Sequence, residues 1–231
     1  ELEDLLINAH ASSASVLTED EKDLGVVVVD IGAGTTDVAI YAGGAIRHTA
    51  VIPIAGDLIT SDIAMALHTP TKDAEEIKIQ HGCAKQLLAS PDEQAEVAGL
   101  GDRAPRFVSK QVLSGVIEPR VEEIFTLVLQ VVRSSGLEEV LSSGFVLTGG
   151  AAAMPGMVEL AEDIFLKPVR TGAPIYKGHL QDFVVKPEMA TAMGFLETVR
   201  QGRARGARVG RQNSGVGAWL ARVREFLIGN F

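Results

Sequence analysis

The segment Val29-Asp30-Ile31-Gly32-Ala33-Gly34-Thr35-Thr36-Asp37 sets two glycines and two threonines between two aspartates. Glycines let a backbone approach phosphate oxygens closely, and N–H groups and hydroxyls there can donate to negative charge. Asp30 follows a β-branched run and suits a Mg²⁺ ion, which takes one or two carboxylates plus waters and phosphates. A tight hairpin would also use Gly and Asp. The complete run after a strand favours phosphate binding.

A second glycine turn, Thr148-Gly149-Gly150, ends another apolar run and is followed by Ala151, Ala152, Ala153, Met154 and Pro155. Small residues at a strand's carboxyl end leave room for a flat ligand in an open α/β sheet, or allow close helix–strand packing. A third candidate is the pair Glu75 and Lys78, three apart on one helical face. One could accept from ribose hydroxyls while the other lies near a base. Such pairs also occur as solvated surface charges.

These residues need a sheet to hold them. Residues 26–29, 36–41 and 45–54 read as strands, with a hairpin turn at Gly43-Gly44. Residues 56–67 and 71–82 have helical spacing, and 111–133 predicts a long amphipathic helix that can bend at Pro119. Residues 88–107 are polar and broken, and read as loops or short strands of a small insertion. Strand 144–147, helix 157–165, strand 169–171 and helix 188–200 follow. Strand and helix alternating after a hairpin sheet predict an α/β fold.

The chain has 231 residues and a net charge of −9, which argues against a nucleic-acid binder. The lone cysteine, Cys83, permits no intrachain disulfide and reads as a small buried residue. The histidines at 10, 48, 68, 81 and 179 lack metal-ligand spacing. The longest uncharged stretch, 140–158, contains turn residues and Pro155, so it reads as a short strand between turns and not as a membrane span. The chain opens on Glu1 and enters an apolar pattern at once, which reads as a fragment with 1–23 ending a preceding unit.

Composition changes near the end. Arginines at 200, 203, 205, 208 and 211 are spaced by glycines with no acidic residue, which predicts a flexible basic linker over 201–214. Val216, Trp219, Leu220, Val223, Phe226 and Leu227 then share one helical face, beside Arg222 and Arg224. A short helix of this kind is marginal alone in water, and its composition suits an anionic membrane surface. A partner groove would serve the same face.

Taken in order, the two glycine turns and the Glu75/Lys78 helix resemble the phosphate and adenosine motifs of the actin-like ATPases. Within them the chain is most similar to the bacterial cell-division family FtsA. The resemblance rests on Ala11-Ser-Ser-Ala-Ser-Val-Leu-Thr-Glu-Asp-Glu21, Gly43-Gly-Ala-Ile-Arg-His48, Val51-Ile-Pro53, Thr60-Ser-Asp-Ile-Ala64 and Ile77-Lys-Ile-Gln-His-Gly-Cys-Ala84. Ile117-Glu-Pro-Arg120 and Gly144-Phe-Val-Leu-Thr-Gly-Gly-Ala-Ala152 add to it.

The resemblance implies an actin-like, ribonuclease H-like lobe: a base domain over 24–65 and 110–200, an inserted upper subdomain over 66–109, and a membrane-targeting helix over 215–231. It places Asp30, Gly32, Gly34, Thr35 and Thr36 at the phosphates and Mg²⁺ of ATP. It places Glu75 and Lys78 at the adenosine, and Gly149, Gly150 and Met154 beside the base. No first phosphate loop or first-lobe subdomain appears, so the implied two-lobed site is half present, and ATP binding by this chain is expected to be weak and without hydrolysis. The implied role is a filament-forming scaffold tying the FtsZ C-terminal tail, through 66–109, and other division proteins to the cytoplasmic face of the inner membrane. A pilus-assembly ATPase, or a kinase or phosphatase of the same fold, are the alternatives.

Overall fold

The computed structural model describes residues 5–101 and 103–213. The chain runs α1 (Asn8–Val16), α2 (Glu19–Leu24), β1 (Val26–Ile31), β2 (Thr36–Ala42), β3 (Ala45–Ile52), α3 (Gly56–Leu67) and α4 (Thr71–His81). It continues through β4 (Gln94–Val97), β5 (Arg106–Ser109), α5 (Lys110–Ser134), β6 (Phe145–Thr148), α6 (Met157–Phe165), β7 (Val169–Thr171), α7 (Gln181–Val184) and α8 (Ala190–Asn213).

One five-stranded sheet has the order β3-β2-β1-β6-β7. The first three strands are antiparallel neighbours, and β6 joins β1 in parallel with Val27 opposite Phe145. The all-apolar run of β1 follows from cover on both faces, since alternate side chains enter opposite layers. Val27, Val29 and Ile31 face a large core built with α3, α5 and α6. Val26 and Val28 face a smaller one with α1, Ala190, Ala39 and Tyr41. Each fully buried side chain of this size contributes ~1.5–3 kcal/mol. Phe145 stacks on Phe165 at 4.0 Å between centroids, which seats α6 on β6.

The 25-residue helix α5 carries Pro119 in its interior, yet Ile117 and Val121 on either side are fully buried. The insertion read over 88–107 is the hairpin of β4 and β5, and its Ala95 and Val97 join the large core. Residues 140–158 contain turns, β6, a short 3₁₀ turn over Ala151–Ala153 and the start of α6. Among the described residues no helix is long and apolar enough to cross a membrane.

Two expectations change. Residues 1–23 are read from sequence as the end of a preceding unit, yet the described part of that stretch packs on the sheet: Ala9, Val16 and Leu17 lie in the smaller core. A Cβ on Gly194 of α8 would come 1.7 Å from the Ala11 carbonyl of α1, so the two helices touch backbone to backbone. The final helix also does not stop at Arg200. It runs to Asn213 and takes in nearly all of the stretch read as a flexible linker. Its arginines, alanines and glutamines are good helix formers, and they outweigh the cost of about 1 kcal/mol for each interior glycine.

Candidate nucleotide site

Asp30 sits at the end of β1 and is buried. Beyond it, the Gly32 N–H donates to the Thr35 carbonyl at 3.0 Å, closing a tight turn that leaves Ala33, Gly34 and Thr35 exposed. A Cβ on Gly34 would meet nothing within 4 Å. The fold therefore makes no packing demand for glycine there, and the open space is what a phosphate group would need. Thr36 is different: it is buried, and its hydroxyl donates to the Ile54 carbonyl at 2.7 Å. It braces the turn from beneath instead of facing solvent.

The amino end of α3 closes on this turn. Gly56 and Asp57 N–H groups donate to the Gly32 and Ala33 carbonyls at 3.0 and 2.8 Å. Three separate segments meet at Gly56, where a Cβ would lie 3.0 Å from Gly32 O, 3.5 Å from Lys78 Nζ and 3.8 Å from Ala151 Cβ. The first glycine turn, the Glu75/Lys78 helix and the second glycine turn are thus brought together, although they lie far apart in sequence. Gly56 was not singled out from sequence. A glycine opening a helical pattern is the signal that marks it.

Lys78 is buried, and its ammonium donates to Gly56 O at 3.0 Å and Thr60 Oγ1 at 2.8 Å, with Glu75 Oε2 at 2.7 Å. Glu75 remains half exposed. Burial alone would raise its pKa, but the Lys78 and Thr60 hydrogen bonds and the Lys78 charge hold it below the ordinary carboxylate value. This is no solvated surface pair.

The second turn leaves β6 beside the first, because Asp30 and Thr148 are register partners on adjacent parallel strands. Gly149 has φ +89°, and a Cβ there would lie 2.4 Å from Asp30 Oδ1 and 2.5 Å from Ile31 O. Close packing of the two turns therefore requires this glycine. Gly150 is exposed, and Met154 is half-buried beside a cavity of about 430 Å³ that Pro187 and Thr171 also line. A larger cavity of about 600 Å³, between α1, α8 and residues 174–177, contains none of the candidate residues.

On composition of donors the site fits a hydrated Mg²⁺ with phosphates. Asp37 stands opposite Asp30 across the β1–β2 pair. Its pKa is raised by burial first and by the Asp30 charge as well, against a Thr35 hydroxyl bond at 3.1 Å. Among the described residues no basic side chain contributes to the Asp37 shift. Among the described residues no group of three or more His, Cys, Asp or Glu could hold a metal unaided, so a cation here would share its ligands with phosphate and water.

The family model for cell division protein FtsA matches residues 27–194, across the whole sheet and all three converging segments. The chain belongs to the FtsA family. Two relatives bear this out along its length: it is 49% identical to cell division protein FtsA of Pseudomonas aeruginosa over all of this chain, and 44% identical to that of Escherichia coli strain K12 over 98% of it. The chain spans just over half the length of these curated relatives, 57% and 56%.

Among solved structures it is similar in fold to MreB5 of Spiroplasma citri bound to ADP (TM-score 0.67, 20% identity, covering 85% of this chain and 60% of that one). The AMPPNP-bound structure of MreB5 gives the same TM-score over 86% of this chain and 60% of that one. A MamK double helical filament matches at TM-score 0.57 and 16% identity over 78% of this chain and 57% of that one. These likenesses establish the actin-like fold.

In this FtsA-family chain Asp30 is held from the other face of the sheet. Its Oδ2 accepts from Thr191 Oγ1 at 2.9 Å and from Ser12 Oγ, and the two hydroxyls lie 2.9 Å apart. Neither Ser12 nor Thr191 was anticipated, since nothing local marks a serine in α1 as the partner of an aspartate in β1. The residues expected from sequence to face a membrane, Val216, Trp219, Leu220, Arg222, Val223, Arg224, Phe226 and Leu227, lie outside the described residues.

Proposed function

We propose that this chain is the second lobe of an ATP-binding, actin-like scaffold. That scaffold forms filaments and ties the FtsZ ring to the cytoplasmic face of the inner membrane at the division site. The observation that carries the nucleotide reading is the convergence at Gly56 of Gly32, Lys78 and Ala151. In it, the Gly32–Thr35 backbone receives the phosphates, Asp30 holds Mg²⁺ through water, Glu75 accepts from the ribose, and Gly150 and Met154 border the base. Bound Mg²⁺ would offset phosphate charge, and the protein's part is to orient the phosphates against the turn. The ADP- and AMPPNP-bound MreB5 structures support this reading, and the MamK filament supports assembly.

Titration of the ¹⁵N-labelled chain with Mg-ATP tests it. Amide shifts are expected at Gly32, Gly34, Thr35, Gly56 and Gly150. Gly34→Glu is expected to keep the fold, because the position is open, and to lose the shifts by repulsion of phosphate. Shifts confined to other surfaces, or unchanged in Gly34→Glu, would overturn the assignment.

The tether rests on the spacing of Trp219, Leu220, Val223, Phe226 and Leu227. Co-sedimentation with phosphatidylglycerol vesicles is expected for the intact chain, weakening with salt, and to be lost in Trp219→Glu and in a chain ending at Arg211. Equal binding by all three, or by none, would remove the lipid anchor and bring forward a protein groove for this helix. FtsZ C-terminal tail binding is expected on the α4–β5 side, within residues 66–109.

A further inference from the structure

The cavity of about 600 Å³ between α1, α8 and residues 174–177 takes no part in the site described above. α8 gives it one wall, since Met193, Leu196, Glu197 and Arg200 recur along a single helical stripe. Leu17, just past α1, and Pro174 and Ile175 supply the rest of its apolar lining.

These walls are fixed. The Gly194–Ala11 backbone contact sets α8 on α1, and the Ile175 N–H donates to Ser15 O at 2.7 Å. The Ser15 hydroxyl is taken by Ala190 O, also at 2.7 Å. Yet Leu196 is 65% exposed and Ile175 59%, one on each of two walls. A preformed groove that leaves large apolar side chains in water is a surface for an amphipathic helix.

The chain carries such a segment. Trp219, Leu220, Val223, Phe226 and Leu227 share one helical face, and a helix that short is marginal in water unless something covers the face. α8 delivers it nearby. Its last residue, Asn213, stands about 20 Å beyond Arg200 at 1.5 Å per residue. Residues 214–219, extended at about 3.3 Å each, cover the same distance in return, and Gly215 and Gly217 permit the reversal. Trp219 then arrives at the Arg200 end of the groove, with the remaining residues free to run along it. The return is short because the basic stretch is helical, which keeps the effective concentration of the segment high. Charge adds little. Glu197 is already paired with Arg200 at 2.8 Å, beside Lys177, so Arg222 and Arg224 find no free acid among the lining residues.

We propose that this groove is the docking site of the chain's own 219–227 segment, so that one apolar face is held either by the groove or by a membrane. This rests on the reading of that segment as an amphipathic helix. Docking lowers the apparent affinity for any second surface by the fraction of chains left undocked, so a docked-to-free ratio of about ten weakens vesicle binding about tenfold. Salt separates the two contacts: screening weakens attraction to an anionic surface and leaves an apolar groove contact in place.

Trp219 is the chain's one tryptophan, so its fluorescence reads the docking without a label. In the 231-residue chain it is expected to emit to the blue of the urea-unfolded chain and to resist acrylamide several-fold better, at low and high salt alike. Leu196→Glu, at an exposed position where folding is not at risk, is expected to abolish that protection. It is also expected to raise affinity for phosphatidylglycerol vesicles about tenfold, against the repulsion that its own negative charge adds. Ile175→Ser, which adds no charge, is expected to give part of the same rise. Ending the ¹⁵N-labelled chain at Arg211 is expected to shift the amides of Ala14, Ile175 and Leu196.

Equal quenching of Trp219 in the wild type and in Leu196→Glu would overturn the docking and leave the lipid anchor standing. Protection that grows with chain concentration would give the groove to the tail of a second copy, and overturns the proposal too. Protection lost in Leu196→Glu, with vesicles bound by neither chain, would keep the docking and remove the lipid anchor.

Discussion

Gly149 bears the tightest constraint at the candidate site. It combines φ +89° with a virtual Cβ overlapping both Asp30 Oδ1 and Ile31 O, and neither neighbour is the free end of a flexible chain. Gly149→Ala is expected to cost 3 kcal/mol or more, roughly the sum of a left-handed strain and an overpacked core contact. Urea denaturation within about 1 kcal/mol of the wild type would show that β6 can shift away from β1. At the neighbouring carboxylate, Asp37→Asn removes a charge whose pKa is raised by burial and by Asp30. A carboxyl raised in the fold loses stability as pH climbs from its unfolded value through its folded one. The asparagine chain is therefore expected to melt about 1–2 °C higher at pH 7 and no higher near pH 3, below both values.

The first glycine turn was legible in the sequence because it is local: Gly32, Gly34 and Thr35 lie within four residues. Gly56, Thr60, Ser12 and Thr191 were not, since each acts through a partner that only the fold supplies.

Among the elements, Arg170 of β7 reaches across to α2 and grips both Glu21 oxygens at 2.7 and 2.8 Å, while also donating to Val16 O at 2.9 Å. Burial would raise the Glu21 pKa, but the Arg170 bonds and charge and the Thr18 N–H lower it overall. A depressed carboxyl stabilises the fold above its unfolded pKa, and that contribution disappears as pH falls through the folded value. Arg170→Met is expected to lower the melting temperature by about 2–4 °C at pH 7, as befits a half-exposed bidentate pair. The gap from the wild type is expected to narrow below the ordinary carboxylate range. An undiminished gap in acid would assign the effect to the Val16 bond alone.

Element types were read well where pattern is strong. Residues 56–67, 157–165 and 169–171 were placed with the bounds that the fold shows. The misreadings have physical causes. Arginine and glycine together look like a linker, yet α8 continues through them. The stretch 1–23 looks detached in the sequence because what holds its helix α1, a backbone contact with Gly194 and a hydroxyl bond to Asp30, involves residues remote in sequence.

At the scale of the molecule, the tip of the first glycine turn lies on an open face, although Asp30, Thr36 and Lys78 beneath it are buried. Ala33, Gly34 and Thr35 are exposed, and the 600 Å³ cavity is elsewhere. An uncovered site cannot desolvate a triphosphate, so the chain alone is expected to bind ATP in the millimolar range, about −4 kcal/mol, and not to hydrolyse it. Calorimetric titration giving micromolar affinity would overturn this, as would measurable phosphate release.

The strand order also sets a timetable for folding. The β1–β2–β3 meander is local and can close within microseconds, but β1 finds its other neighbour only when Phe145 meets Val27, more than a hundred residues later. On a ribosome adding roughly 5–20 residues per second, several seconds separate the two. For that interval one side of the Val26–Val29 backbone is an unpaired, apolar sheet edge, the kind of surface that recruits other chains. The strand that ends in the first glycine turn is thus an aggregation hazard in the nascent chain, and a chaperone covering it would protect the lobe during that interval.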